Sequence, residues 1–97
     1  MAQFHVYRLG QGRLVVDLQT DFIETGSRVV APLTPVGTGP RPLGRLEPVV
    51  MLGGAAHVIR TGEMAAVPSG LLRDEVADMS ERGDLIKAAL DMVFYGF

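Results

Sequence analysis

The sequence predicts one small domain, residues 1–97, that is mainly β and forms a small barrel or barrel-like sheet with a C-terminal α-helix. Short runs of β-forming residues alternate with turn signals over residues 3–68. Residues 81–94 instead repeat their apolar positions at helical spacing. A chain of 97 residues has room for only one modest core, so the strands and the helix must share it.

The first two strands are predicted on either side of Gly10-Gln11-Gly12. Residues 3–9 alternate, with Phe4 and Val6 facing one way and His5 and Tyr7 the other. Residues 13–18 resume the β pattern after the glycines. Two β runs joined by a short glycine-containing segment indicate a hairpin.

A third strand is predicted over residues 28–33, after a turn at residues 24–27. Proline has no backbone N–H, so Pro32 is expected at a sheet edge or at the end of this strand. Residues 34–48 contain four prolines and three glycines, which predicts a loop.

The middle of the chain predicts three more strands. Residues 48–52 are wholly apolar, which is typical of a central strand buried on both faces. Gly53-Gly54 is the expected turn into a returning strand at residues 55–60. Residues 64–67 form a further strand that Pro68 ends.

The predicted helix begins after Ser80 as its N-cap, runs over residues 81–94 and ends before Gly96. One wide apolar face and a second apolar stripe leave few polar positions. The wide face holds Leu85, Ile86, Ala89, Leu90, Val93 and Phe94, and the second stripe holds Ala88, Met92 and Tyr95. A helix packed on one sheet needs only one apolar face, so a second copy of the chain is the expected partner of the other. The alternative is a helix sunk in its own core.

Composition excludes several classes of protein. The chain has no cysteine, so disulfide and thiol chemistry are excluded and the cytoplasm is the expected compartment. No apolar run is long enough to span a membrane, and residues 1–8 do not resemble a signal peptide. The net charge is −2 and the nine basic residues are scattered, so no direct nucleic-acid contact is expected.

The polar residues predict neither a catalytic centre nor a metal or cofactor site. His5 and His57 lie far apart in sequence and are expected at the surface or at an edge. Asp17, Asp21 and Glu24 form an acidic cluster around a predicted turn, where carboxylates often bond backbone groups, and this predicts a structural role. Asp74, Glu75 and Asp78 are expected to be solvated.

Two apolar segments are candidates for a contact surface. The sequence ends in Phe94-Tyr95-Gly96-Phe97, and exposed aromatic clusters commonly mark binding surfaces. Phe22 and Ile23 stand side by side between two acids in a predicted turn. Either at least one of them is buried, or the pair is a second contact patch.

Taken in order, these segments resemble the CcdB family of toxins from bacterial toxin–antitoxin modules. Residues 3–7, 13–21 and 32–33 are similar to the family's first three strands, and residues 48–50, 64–68 and 75–80 follow in the family's order. Positions 84, 86, 87 and 89 match the C-terminal helix, and residues 94–97 resemble its aromatic-Gly-apolar end.

The resemblance implies an SH3-like barrel of the CcdB/MazF type, assembled as a homodimer, that poisons DNA gyrase without catalysis. It implies binding to the DNA gyrase A subunit, trapping of gyrase on cleaved DNA, removal by an antitoxin of the CcdA type, and a use in plasmid maintenance. The target-binding positions it implies are Phe22, Ile23, Asp91, Phe94, Tyr95, Gly96 and Phe97.

Four of these positions depart from the family pattern. Tyr95 stands where the family has Trp, Asp91 where it has Asn, and both Phe22 and Phe97 where it has Ile. Two alternatives therefore stay open. The first is a MazF/Kid-like endoribonuclease, for which Arg13, Asp17 and His57 are the available residues. The second is an inactive relic that binds only its antitoxin.

Overall fold

The computed structural model describes residues 2–97 and shows seven antiparallel strands in one curled sheet, with a C-terminal helix. The elements are β1 (His5–Arg8), β2 (Leu14–Asp17), β3 (Ser27–Pro35), β4 (Val49–Leu52), β5 (Ala55–Ile59), β6 (Ala65–Pro68), β7 (Asp74–Asp78) and α1 (Gly83–Tyr95). The strand order is β4-β5-β3-β2-β1-β7, and β6 pairs with β3. The predicted fold class is confirmed.

The predicted β1–β2 hairpin is confirmed. Val6 pairs with Val16 and Arg8 with Leu14, and a 3-10 turn over Gly10–Gly12 joins the strands. Val6 and Tyr7 point to opposite faces of the sheet, yet both are almost fully buried. The sheet is therefore covered on both faces at this hairpin.

Two apolar clusters provide this cover. The first lies between the sheet and α1 and contains Phe4, Val6, Val16, Leu18, Ala31, Leu33, Val50, Ile59, Met79 and Ile86. The second lies on the opposite face and contains Tyr7, Val15, Val30 and Leu72. The sheet supplies alternate residues to each cluster because successive side chains of a strand point to opposite faces.

The prediction that Pro32 lies at an edge or a strand end was wrong. It sits inside β3, at the point where the neighbouring strand changes from β6, opposite residues 27–30, to β5, opposite residues 33–35. Its carbonyl accepts the Arg60 N–H at 2.8 Å. The N and C=O of one strand residue face the same side, so a donor at position 32 would meet the Arg60 carbonyl. That carbonyl instead accepts the Glu63 N–H at 2.9 Å, so the proline leaves no acceptor unpaired.

β4 is an edge strand, so the prediction of a central strand was wrong. Val50 is buried, but Val49 and Met51 are about half exposed. The strand pairs only with β5, through the hairpin that Gly53 and Gly54 close as predicted. Both glycines have positive φ, which a two-residue turn of this kind requires.

The acidic segment before the helix forms β7, which the sequence pattern did not predict. It lies at the other end of the main strand path from β4 and pairs with β1, His5 opposite Asp78 and Arg8 opposite Asp74. As predicted, its carboxylates are solvated, with the side chains of Asp74, Glu75 and Asp78 59%, 48% and 56% exposed, and each also contacts a basic side chain of β1. Asp74 lies 3.4 Å from Arg8, and Glu75 and Asp78 both contact His5.

The helix starts later than predicted, and Ser80 is not its N-cap. Residues Ser80–Arg82 form a 3-10 turn, and α1 begins at Gly83. The Asp78 carboxylate accepts hydrogen bonds from both the N–H and the hydroxyl of Ser80. The side chain that caps the start of the 3-10 turn is therefore Asp78, and not Ser80. The predicted stop at Gly96 is confirmed by its left-handed conformation.

One face of α1 packs on the sheet and the other is open. Ile86 and Ala89 are fully buried, and a Cβ at Gly83 would lie 3.0 Å from the Phe4 ring, which explains the glycine there. On the opposite side Leu85 is 37% exposed and Ala88 is exposed. Within one chain, therefore, the helix is not sunk in its own core.

A buried ion pair connects β2 to β3. The Arg28 guanidinium lies 2.8 Å from the Asp17 carboxylate, and both side chains are almost completely buried. A second carboxylate, Asp21, lies 3.0 Å from the same guanidinium. The buried guanidinium is therefore neutralised by acids from the end of β2 and the loop that follows it.

We expect Arg28→Met to destabilise the protein by about 3–5 kcal/mol, because it leaves the Asp17 carboxylate buried without a cation. Urea unfolding followed by circular dichroism measures this. Arg41→Met, at an exposed position, is the matched control and should change stability by less than about 0.5 kcal/mol. Equal losses of unfolding free energy in the two variants would show that the buried Arg28–Asp17 pair stabilises the fold no more than an exposed arginine does.

Candidate functional site

The loop between β2 and β3 is held by polar contacts rather than by an apolar interior. Arg28 donates to the Gln19 carbonyl at 3.0 Å. The Gln19 side chain donates to the Ile23 carbonyl at 2.9 Å and accepts the Val29 N–H at 3.2 Å. Together these bonds attach the loop to the start of β3 at several points.

Asp21 fixes the same loop to the N-terminal segment. Its carboxylate accepts the Gln3 N–H at 2.9 Å and the Arg28 guanidinium at 3.0 Å. The Gln3 bond and then Arg28 hold the pKa of Asp21 below its usual range, so it is ionised at neutral pH. Glu24 accepts the Gly26 N–H and the Ser69 hydroxyl. These contacts agree with the predicted structural role of the acidic cluster.

Phe22 and Ile23 project from this loop into solvent. Phe22 is 98% exposed and Ile23 is 53% exposed. Of the two alternatives that the sequence left open, burial of at least one of the pair is therefore wrong. A phenyl ring this exposed contributes almost nothing to the core of its own chain.

The C-terminal end of α1 presents a second exposed apolar group. Phe94, Tyr95 and Phe97 are 64%, 70% and 85% exposed. The centroids of the Phe94 and Tyr95 rings lie 6.5 Å apart with an interplanar angle of 56°, so the two rings form a tilted aromatic pair. Gly96, with φ of 81°, donates its N–H to the Met92 carbonyl and turns Phe97 away from the helix axis.

The two groups belong to different ends of the helix. The start of α1 packs on Phe4, and the neighbouring Gln3 bonds to the loop that carries Phe22. An α-helix rises about 1.5 Å per residue, so Tyr95 lies about 18 Å farther along the axis than Gly83. Asp91, the remaining predicted contact residue, is exposed on the last turns of α1.

One of the two histidines lies at the surface as predicted, and the other does not. His5 is partly exposed, bonds to Glu75 at 2.8 Å and lies 3.3 Å from Asp78. His57 is only 9% exposed, so its predicted surface position was wrong. Between residues 2 and 97, no three His, Cys, Asp or Glu side chains come together as a metal site, and no helix is long and apolar enough to cross a membrane.

An open cavity of about 290 Å³ is lined by two of the three residues that the sequence offered for a ribonuclease. Arg13 and His57 both line it, with Pro32 and Leu33 among the apolar walls. The Nδ1 of His57 donates to the Ala55 carbonyl at 3.0 Å. Among the described residues, Nδ1 is the His57 nitrogen that makes a hydrogen bond, and Nε2 makes none. Because no buried side-chain nitrogen in this part of the chain lacks a partner, Nε2 must reach solvent.

Asp17 is not part of this cavity, because it is fully buried beside Arg28. The trio of Arg13, Asp17 and His57 is therefore not assembled. Arg13 and His57 line one cavity because β3 pairs with β2 on one side and with β5 on the other. Sequence spacing carried no signal for this arrangement.

Solved structures of bacterial toxins share the fold. One described as an endoribonuclease in complex with its cognate antitoxin from Mycobacterial species aligns with a TM-score of 0.77 at 15% identity, over 96% of this chain and 93% of that one. The Mycobacterium tuberculosis toxin MazF-mt6 aligns with a TM-score of 0.70 at 18% identity, over 93% of both chains. A structure described as an Mtb toxin gives 0.72 at 17% identity, over 92% and 99%.

The sequence itself matches one protein family. The family described as CcdB protein covers residues 3–96, which is nearly the whole chain. The match includes β1, the exposed Phe22–Ile23 pair and the aromatic end of α1 as far as Gly96. The chain therefore belongs to the CcdB family, the toxins of toxin–antitoxin modules.

Proposed function

We propose that this toxin acts by binding rather than by catalysis, that its target is the DNA gyrase A subunit, and that it traps gyrase on cleaved DNA. The observation that carries the proposal is the exposure of large apolar side chains at the positions where the family contacts gyrase. Phe22 and Phe97 are 98% and 85% exposed. Such side chains are the usual anchors of a protein interface, and their own chain gives them no other role.

The aromatic end of α1 suits a target surface that carries arginine. The Tyr95 ring, 70% exposed, can stack on a guanidinium, although a tyrosine ring attracts a cation less strongly than tryptophan does. The exposed Asp91 carboxylate one helical turn earlier adds a charge that an arginine can pair with. Tyr95 and Asp91 together therefore favour a basic contact surface on gyrase.

We propose that the active form is a homodimer that packs the open side of α1 against a second copy. Leu85, Ala88 and Met92 follow one another at helical spacing, and Leu85 and Ala88 are exposed in the single chain. A domain of this size gains substantially from such burial. Pairing of two helices also places aromatic ends from both chains on one assembly, as a symmetric target requires.

We propose an antitoxin of the CcdA type as the second partner. Membership of the CcdB family supports it, and one structural neighbour was solved with its own cognate antitoxin. A flexible acidic segment that covers the exposed aromatic residues would compete with the target for the same surface. Neutralisation would then need no change in the fold of the toxin.

We expect Tyr95→Ala to weaken binding to the gyrase A subunit by about 1–3 kcal/mol, because it removes an interface anchor. Thermal stability should hardly change, since the ring is mostly exposed. Calorimetric titration against the purified gyrase protein measures the affinity. Leu71→Ala removes an apolar side chain that is 52% exposed outside the proposed surface, and it should bind like the wild type.

Equal binding of the two variants would place the target surface elsewhere. If the wild-type toxin binds its antitoxin but not gyrase, the gyrase proposal is wrong. The protein is then either an inactive relic that binds only its antitoxin or a ribonuclease.

We expect Leu85→Glu to convert the homodimer into a monomer at micromolar concentration, because it puts a charge into the proposed helix contact. Sedimentation velocity measures the oligomeric state. Lys87→Gln lowers the net charge by the same one unit at an exposed helix position but lies off the apolar stripe, so it should remain dimeric. A wild-type protein that sediments as a monomer would refute the dimer.

One observation favours a second candidate, a ribonuclease of the MazF/Kid type. Arg13 and His57 line the same cavity, and the solvent-accessible Nε2 of His57 can accept a proton while Arg13 holds a phosphate. The fold is also that of the Mycobacterium tuberculosis toxin MazF-mt6. We rank this function second because Asp17, the remaining polar residue considered for it, is buried elsewhere.

We expect purified toxin to leave a mixed-sequence RNA intact, because the cavity offers one base and one cation without an opposing acid. Gel analysis of labelled RNA after prolonged incubation measures this. Specific cleavage that His57→Gln abolishes and His5→Gln preserves would overturn the binding mechanism and establish the ribonuclease.

A further inference from the structure

Residues 2–5 form a tight turn that holds a phenylalanine in an unfavourable backbone conformation. The His5 N–H donates to the Ala2 carbonyl at 3.1 Å, and Phe4, the third residue of the turn, has φ of 67°. A turn with positive φ at this position alone matches type II, in which glycine or asparagine usually stands there. A residue with a Cβ is strained in this conformation, so other contacts of Phe4 must offset the strain.

Phe4 has such contacts on three sides. Its N–H donates to the Asp17 carbonyl at 2.6 Å, and its carbonyl accepts the Met79 N–H at 2.8 Å. Its ring is buried in the apolar cluster between the sheet and α1. The same ring lies so close to Gly83 that a Cβ there would meet two ring carbons at 3.0 and 3.3 Å. Phe4 therefore joins the end of β2 to the first residue of α1.

The contact between Phe4 and Gly83 combines two choices that are each locally unfavourable. A glycine at position 4 would adopt a positive φ at little cost, but it would bring no ring to the helix. Position 83 carries glycine, although only proline is a poorer helix former. Local rules are commonly broken where the arrangement of a site requires it. The ring of Phe4 is therefore what position 4 needs, and the close approach is what position 83 needs.

Gln3, the residue before Phe4, is bonded to the loop between β2 and β3. Its N–H donates to the Asp21 carboxylate at 2.9 Å, and its side-chain amide donates to the Leu18 carbonyl at 3.0 Å. The bond from Gln3 is also the main reason that the pKa of Asp21 lies below its usual range. Phe22 follows Asp21 directly in the chain. The place of Gln3 therefore sets the place from which Phe22 projects.

We propose that Phe4 is a positioning residue for the target surface: seated against Gly83, it fixes Gln3, and through Gln3 it fixes the loop that carries Phe22 relative to α1. The exposed loop and the aromatic helix end are then presented as one rigid unit. A partner that touches both loses less conformational entropy on binding than it would if they moved separately. This role rests on the proposed target surface, but the placement of the loop can be measured without any partner.

Gly83→Ala tests the contact in the full chain, because the new methyl group would lie 3.0 Å from the Phe4 ring and must displace it. Amide exchange measured by nuclear magnetic resonance should show about fivefold less protection at the Gln3 N–H, the effect of one hydrogen bond. The pKa of the Asp21 carboxyl, followed by its carbon chemical shift, should rise towards the usual range as that bond weakens. Gly62→Ala is the matched control, since that glycine has open space and no positive φ, and it should change neither quantity.

A double variant, Phe4→Leu with Gly83→Ala, tests whether the effect passes through the ring. Leucine lacks the outer ring carbons that the new methyl group would meet. Protection of the Gln3 N–H and the low pKa of Asp21 should therefore return towards their wild-type values. The double variant also keeps the test valid if Gly83→Ala alone does not fold.

Calorimetric titration against the gyrase A subunit separates this role from the proposed target. Gly83→Ala should bind about fivefold more weakly than Gly62→Ala, the same factor as the lost bond. If the wild-type toxin does not bind gyrase, the proposed target is wrong, and the exchange and pKa measurements still decide whether Phe4 places the loop. Wild-type values at Gln3 and Asp21 in Gly83→Ala, equal changes in Gly62→Ala, or a displaced loop with unchanged gyrase binding would overturn the proposal.

Discussion

The buried guanidinium of Arg28 is the interaction on which the rest of the structure depends most. It has two carboxylate partners, Asp17 on β2 and Asp21 in the following loop, and a backbone partner at Gln19. Asp21 in turn accepts the Gln3 N–H. Four segments of the chain therefore meet around one cation, and displacing β2 from β3 would leave the buried charges of Asp17 and Arg28 apart.

This polar centre explains why the loop exposes Phe22. The inside of the loop is filled by charged and amide groups, so an apolar side chain has no matching space there. The phenyl ring is left in solvent on a backbone that many hydrogen bonds hold in place. Because the loop is already ordered, less conformational entropy is lost when a partner binds Phe22 than if the loop were flexible.

The sequence predicted the elements whose signals are local. The β1–β2 hairpin, the Gly53-Gly54 turn and the stop of the helix at Gly96 all follow from residues within a few positions of one another. β7 was missed because its acidic residues form a strand only against β1, some seventy residues earlier. β4 was taken for a central strand because its apolar run does not reveal that Val49 and Met51 face solvent at an edge.

The candidate site also contains some features that local sequence predicted and others that it did not. The aromatic helix end was predicted as a contact surface from its residues alone, whereas for Phe22 and Ile23 the sequence left burial and exposure open. The cavity shared by Arg13 and His57 does not follow from any pattern, because only the curl of the sheet around β3 brings β2 and β5 together. Long-range pairing decides such contacts, and spacing along the chain does not encode it.

The two end strands of the main strand path are chemically unlike. β7 carries Asp74, Glu75 and Asp78, whose carboxylates repel an approaching acidic strand, whereas β4 is a short apolar strand with Val49 and Met51 about half exposed. Because each of these strands pairs on one side, its other side leaves a row of backbone N–H and C=O groups without a strand partner. Of these two ends, β4 is therefore the one at which crowding or partial unfolding would add a strand from a neighbouring chain, since the strand itself carries no carboxylate.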